Sequence, residues 1–380
     1  MKVLKPIRIL KQWWRALRQR RKQWQLRMAL KFLDKKTADQ AFNASAIKKV
    51  AVFRWDDKLG DTFVSTVFAN AVKKHRPDIH LTYLVGKHTQ QLLRDCPAID
   101  QLMNVGKRSL KTAKVLKKQN HGYDLVVDMS SNMSALDFTA LKNLKAKHYL
   151  GFNKSTYNLF DVNVLPPHNH FVERYLAAAK IITNQPASAV YFIPSIDSKT
   201  KQTIEKFRHE QLKDQPFTLI NLFASGKHRN FSQANAQKLI HWFLDNYLQH
   251  KPQGVLALLR VPGQDVFLEK LVTDVNSTQV VMTPTPVSIP LSFALIKEAQ
   301  LVVSPDTALV QFCNALTLPL VAIYQNNDKN FAEWKPLNSN AQVVFTRPLR
   351  TAYDRANIAE FSFSQLALAV EKQKQIQQPV

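Results

Sequence analysis

Three polar turns in this chain each follow a short apolar run, and each holds residues able to do chemistry. Asp56-Asp57-Lys58-Leu59-Gly60-Asp61 follows Val50-Ala51-Val52-Phe53 and Arg54. Ala224-Ser225-Gly226-Lys227-His228-Arg229 follows residues 217–223, and Asp306-Thr307 follows Leu301-Val302-Val303 closely. Apolar runs of this length read as buried strands, and helical periodicity resumes after each turn. In open α/β sheets ligands sit outside the carboxyl ends of the strands, where these turns lie. A carboxylate there can take a proton from a hydroxyl. A helix N-terminus there can hold a diphosphate on backbone N–H groups, and a cation can steady departing phosphate charge. Each turn also has an ordinary structural explanation. Asp61 and Asp306-Thr307 suit helix caps, Asp56 and Asp57 suit turns, and Arg229 suits a solvated loop.

The elements that must position these turns alternate along the chain. Strands are expected at 50–53, 80–85, 123–128 and 148–151, with helices at 61–75, near 88–95, at 109–119 and at 133–145. Residues 152–195 are less regular, broken by Pro166-Pro167 and Pro194, with a helix over 170–183. The pattern restarts after Pro216, with strands at 217–223, 254–259, 280–282, 301–303 and 320–324. Helices at 232–249, 264–274, 289–299 and 307–316 separate them. Alternation of this kind predicts parallel sheets with right-handed crossovers. Two successive units of similar size predict two Rossmann-like domains, 47–195 and 196–380, behind an extension over 1–46.

Composition narrows the classes further. With 380 residues and 45% hydrophobic content the chain is long enough for two ordinary cores. Cys96 and Cys313 are far apart, which fits a reducing compartment and small core residues rather than a disulfide framework. The 11 histidines show no ligand spacing, so no metal is expected. The net charge of +25 is unevenly placed: residues 1–36 carry 13 Lys or Arg against a single acid, Asp34. Ile7, Leu10, Trp14, Leu17, Trp24 and Met28 recur there at helical spacing with arginines between them. No run is apolar enough for a signal peptide or a span. A helix with tryptophans on one face and arginines on the other is expected to lie on an anionic membrane surface. A solvated basic tail and a nucleic-acid arm are the alternatives.

The segment from Arg54 through Gly60-Asp61 to Phe68 resembles the N-terminal motif of glycosyltransferase family 9, the lipopolysaccharide heptosyltransferases. Further segments agree in order: 123–128 with Leu150-Gly151-Phe152, His170 to Leu176, and Arg229-Asn230-Phe231-Ser232. Ser304-Pro305-Asp306-Thr307-Ala308-Leu309-Val310-Gln311 is similar to the family's S-x-D-T-G-x-x-H, and Trp334-Lys335-Pro336 to its W-x-P. The resemblance implies a GT-B architecture, two Rossmann-like domains facing a cleft. It implies an inverting, metal-independent transferase with no cofactor beyond its nucleotide-sugar donor, usually ADP-heptose. The implied acceptor is a Kdo-containing lipid A core, so the chain is expected in the cytoplasm, peripheral on the inner face of the bacterial inner membrane. By position Asp61 becomes the general base and Arg229 the cation for the leaving diphosphate. Gly60, Arg54, Ser225, Lys227, Asp306, Thr307, Ala308 and Gln311 become substrate or donor contacts. Ala308 and Gln311 stand where the family has glycine and histidine, so a sugar-nucleotide binder without catalysis is the alternative on the same fold. Nucleic-acid binding, suggested by the charge, has no helix-turn-helix, RNP or zinc signature behind it, and no nucleic-acid partner is expected.

Overall fold

The computed structural model describes residues 4–35, 41–118, 122–249, 254–349, 354 and 356–377. The side chains of 4–12, 227 and 376–377 lie outside that description, and with them Ile7, Leu10 and Lys227. The chain divides into two units, Met1–Phe192 and Ile193–Val380.

In the first unit, helix α1 (Leu4–Leu33) precedes strand β1 (Lys49–Arg54) and helix α2 (Leu59–His75). There follow β2 (His80–Val85), α3 (Lys87–Leu93), β3 (Gln101–Asn104), α4 (Leu110–Lys118), β4 (Leu125–Asp128), α5 (Ala135–Asn143), β5 (His148–Phe152), β6 (Val162–Val164) and α6 (Phe171–Thr183). Among the described residues the six strands form one parallel sheet in the order β3-β2-β1-β4-β5-β6. β1 is buried from Val50 through Arg54, which is why it reads as an apolar run rather than an alternation: helices cover both faces of a parallel sheet. Phe63, Val64, Val67, Phe68 and Val72 of α2 are buried, and the helix packs on α6.

The second unit opens with α7 (Ser198–Phe207), β7 (Phe217–Ile220), α8 (Gln233–Phe243), β8 (Val255–Leu258), α9 (Asp265–Val275) and β9 (Val280–Met282). It continues with α10 (Ile289–Glu298), β10 (Leu301–Pro305), α11 (Ala308–Leu316), β11 (Leu320–Asn326), α12 (Asp328–Trp334), β12 (Ala341–Pro348) and α13 (Phe363–Gln377). Its sheet, again parallel, runs β12-β11-β10-β7-β8-β9. Both sheets therefore have the same doubly wound order, reversing direction between their first and fourth strands. Such a reversal leaves a crevice at the carboxyl ends of those two strands.

The expected elements are present with shifted ends, and several were not expected. β3, β6 and β12 are edge strands, short or only half-buried, so they carry no continuous apolar run. α7 and α12 start on side-chain caps, Asp197 and Asn327, but α7 exposes most of its length and α12 fully buries none of its residues. The expected segregation of arginines to one face of α1 does not hold: at about 100° per residue, Arg21 and Lys31 fall on the same side as Trp13 and Trp24.

Candidate active site

In the first unit the crevice is built on Arg54, the last residue of β1. Its side chain is only 3% exposed, and one guanidinium nitrogen, Nη2, lies 3.0 Å from Asp56 Oδ2 and 3.0 Å from Asp61 Oδ1. Burial works against that guanidinium's charge, but the two carboxylates outweigh it and hold Arg54 above the ordinary arginine range. Asp61 is the third residue of α2, not its cap. Lys58 occupies the cap position, without a side-chain cap bond. Its carboxylate is thus left to Arg54, with Lys58 Nζ at 4.0 Å, and it stays 19% exposed. Gly60 sits just before it in the first turn of the helix.

The neighbouring aspartates divide in role. Asp57 has a positive φ of 55° and its Oδ1 accepts from the backbone N–H of His88 and Thr89 and from the Thr89 hydroxyl. It therefore starts α3 from across the turn, and Gly86 has no Cβ because one would meet that carboxyl group at 2.2 Å. Asp57 is the turn former expected. Asp56, expected to be one too, faces Arg54 instead. Burial pushes its carboxyl up against the pull of Arg54, and its Oδ1 has no hydrogen-bond partner.

Sequence reasoning missed further residues here. The buried Tyr175 phenol, on α6, is pushed up to about 12 by burial, lies within the electrostatic reach of Arg54, Asp128, Asp56 and Asp61, and has no hydrogen-bond partner. Asp128, at the end of β4, takes the buried Lys154 ammonium on its carboxylate, and Lys154 also reaches the Asp128 carbonyl oxygen at 3.0 Å. Burial pulls that ammonium down and Asp128 opposes the shift. Gly151 makes room for it: a Cβ there would lie 2.8 Å from Lys154 Cδ and 2.6 Å from the Phe160 ring. Phe152 stacks on the guanidinium of Arg174 at 3.7 Å, with Phe171 on it at 4.1 Å. Arg174 in turn donates to the Met129 carbonyl and the Ser131 hydroxyl, tying α6 to the loop after β4. The signals were in view, since Gly151-Phe152 and the 170–176 segment are both in the motif set. What they hold together is visible only in three dimensions.

The second unit has its own crevice, between β7 and β10. Arg229, in the turn after β7, donates through Nη1 to the Asp306 carbonyl oxygen at 2.7 Å and to Asp306 Oδ2 at 3.0 Å. Its Nη2 donates to Ser225 Oγ at 3.2 Å. Asn330 Nδ2 donates to the same Asp306 Oδ2 at 3.1 Å. The fold thus brings Ser225, Arg229 and Asp306 together, and Asp306 aims Arg229 rather than standing open to a ligand. Thr307 caps α11 through its hydroxyl, which accepts from the Leu309 N–H. Asn221, just past β7, donates to Ser304 Oγ at 3.1 Å and toward Thr307 at 3.5 Å, locking the two loops. Ala308 is half-buried at the helix start.

Gln311 sits one turn along α11 from Thr307. It is buried, and its Nε2 donates to the Trp334 carbonyl oxygen at 3.1 Å, which also accepts from Tyr324 Oη at 2.8 Å. Its role here is to hold the Trp334-Lys335-Pro336 segment. Cys96 and Cys313 are buried, and burial raises both thiols, Cys96 to about 11, so neither is a nucleophile at neutral pH.

These two crevices, each with a charge pair at its switch point, define a two-unit doubly wound α/β protein, and solved structures share the fold. Over 88% of this chain and 99% of the other, it superposes on the glycosyl transferase family 9 protein from Veillonella parvula with a TM-score of 0.67 at 16% identity. Over 86% and 98% it superposes on the E. coli ADP-heptose lipopolysaccharide heptosyltransferase II with a TM-score of 0.61, also at 16% identity. The sequence profile of glycosyltransferase family 9 (heptosyltransferase) matches residues 110–358, and the chain belongs to that family. A curated relative, lipopolysaccharide heptosyltransferase 1 of Campylobacter coli, is 22% identical over 225 residues, which is 53% of this chain. That match spans 63% of the relative's length.

Proposed function

We propose that the chain is an inverting, metal-independent glycosyltransferase that moves a heptose from ADP-heptose onto a lipid A–core acceptor at the cytoplasmic face of the inner membrane. The observation that carries this reading is the Arg54–Asp61 pair: a partly exposed carboxylate on the first turn of α2, held by a buried guanidinium. Family membership supports the reaction class, and the ADP-heptose named for a structural relative supports the donor.

In the reaction, Asp61 takes the proton of the acceptor hydroxyl as its oxygen attacks the anomeric carbon. The bond from that carbon to the diphosphate breaks on the opposite face, and ADP leaves with the bonding electrons. Arg54 holds Asp61 in place through one guanidinium nitrogen, which it shares with Asp56. Arg229, aimed by Asp306 and beside Ser225 and the Lys227 backbone, meets the charge developing on the diphosphate. The start of α11 at Thr307-Ala308 adds backbone N–H groups to the same anion.

The test is turnover with ADP-heptose and a purified core acceptor, compared with UDP-, GDP- and CMP-sugars. Asp61→Asn is expected to lower kcat by roughly 10²–10⁴-fold, the usual worth of a general base, with the melting temperature kept. Undiminished turnover in that variant removes Asp61 as the base. Stabilisation by ADP-heptose without any turnover in the unsubstituted chain establishes the binding-only alternative instead.

A further inference from the structure

Helix α1 carries two apolar stripes on roughly opposite sides, and the fold uses only one of them. Leu26, Leu30 and Leu33 pack into the core of the first unit, where α1 lies against α5. The end of the helix is latched by Asp34, whose carboxylate accepts from the backbone N–H of Asn158 at 3.0 Å and of Leu159 at 2.9 Å. At about 100° per residue, Trp13, Leu17 and Trp24 fall within a narrow sector facing away from those leucines, with Trp14 and Phe32 at its edge. All five are exposed, Trp13 at 68% and Trp24 at 62%. Cations flank the stripe: Arg20, Arg21, Arg27 and Lys31 fall in it or beside it at the same spacing, and between Trp13 and Leu33 the helix holds no acid.

We infer that this outer stripe is a docking face for an anionic lipid bilayer, seated flat at the headgroup level while the inner stripe stays bound to the first unit. Indole rings favour the interface between headgroups and acyl chains, and arginines around them pair with lipid phosphates. Charge argues against a second copy as occupant, because two such faces without an acid between them repel. A nucleic acid would use the cations but leave Leu17 and Phe32 without a partner. No helix among the described residues is long and apolar enough to cross a membrane, so the helix lies on the surface. The inference is independent of the sugar-transfer reading, since the binding assay below involves no sugar.

The experiment is flotation of the full chain with vesicles of phosphatidylcholine alone or with a quarter phosphatidylglycerol, with tryptophan emission recorded in parallel. Binding and a blue shift are expected with the anionic vesicles only, since each cation near the surface is worth roughly fivefold in partitioning. The triple variant W13Q/W14Q/W24Q should lose at least about tenfold in binding and the blue shift, with its melting temperature unchanged because these side chains are exposed. Trp55, Trp242 and Trp334 remain as internal reporters of folding. Equal flotation of the triple variant, or flotation abolished by salt with no blue shift, overturns the inserted stripe in favour of charge alone. A concentration-dependent dimer that the triple variant loses, with no vesicle binding, assigns the face to a second copy and overturns it too. Retention on duplex DNA without vesicle binding does the same in favour of nucleic acid.

Discussion

Replacing Arg54 with methionine removes the one cation that two carboxylates share, and the consequence can be worked out from the site. Asp56 Oδ2 and Asp61 Oδ1 are each 3.0 Å from the same nitrogen, so those oxygens are separated by no more than twice that distance. At about 5 Å and an effective dielectric near 20, two bare carboxylates repel by about 3 kcal/mol, or about two units of pKa. With Arg54 gone, the pair keeps one proton to a higher pH, and the base is blocked until that proton leaves. The acid limb of kcat/KM against pH should therefore move up by about two units, with activity partly recovered in alkaline buffer. Stability should follow the same sign: folding favours the protonated pair, so the variant loses stability as pH rises from the ordinary carboxylate range through the raised value. Arg54→Met combined with Asp56→Asn removes the repulsion and should return the acid limb toward its starting position. An acid limb unmoved in Arg54→Met, or unmoved by the second change, refutes the shared-cation account. A general loss of packing would lower activity without shifting the profile, so the assay separates the two.

Arg229→Ala should cut kcat by roughly 10²–10³-fold, as loss of a charge-stabilising donor does. Asp306→Asn keeps the backbone carbonyl contact to Arg229 at 2.7 Å and should cost only about tenfold, read in steady-state kinetics with ADP-heptose. In the first unit, burial alone would raise the Asp124 carboxyl, but the Lys147 ammonium and the N–H groups of Lys48 and Lys49 hold it below the carboxylate range. That contribution is present above pH ~4 and lost as pH falls through the lowered value, so Asp124→Asn should cost about 1–2 kcal/mol in urea unfolding at pH 7 and little near pH 2.

Much of the fold was legible because parallel strands buried on both faces write themselves as apolar runs. Val50 to Phe53 and Leu320 to Tyr324 are completely or nearly buried, and both were read from the sequence. Edge strands do not announce themselves in this way: Gln101–Asn104 pairs on one side only and fully buries none of its four residues. The candidate site was legible only as positions. Asp61, Arg229, Ser225 and Asp306 lie at the carboxyl ends of strands, and the last three were found in contact. What sequence could not supply was the direction of each side chain. Asp56 and Asp57 are neighbours of identical chemistry in one turn. The left-handed backbone at Asp57 sends one carboxylate to cap α3 and leaves the other facing Arg54. Gln311 sits on the predicted helix, and its amide nitrogen donates to the Trp334 carbonyl. Its location was readable and its partner was not.

Each unit sets an arginine and an aspartate at its switch point, and exposure separates their roles. In the first unit the arginine is 3% exposed and Asp61 is 19% exposed, so the carboxylate reaches solvent while the cation serves it from inside. In the second, Arg229 is 26% exposed and Asp306 is 13% exposed, and Asp306 is also braced by Asn330. The order is reversed: here the cation is presented and the carboxylate serves. A group must be reachable to exchange a proton or meet a phosphate, and its partner must be fixed for that group to be aimed. The same doubly wound scaffold thus presents a carboxylate in one unit and a cation in the other by choosing which member of the pair to bury. Transfer with inversion needs one of each, a proton acceptor for the incoming hydroxyl and a positive charge for the departing diphosphate. A unit with both members equally buried would offer neither, which is why the difference in exposure, more than the presence of the pair, supports the proposed division of labour.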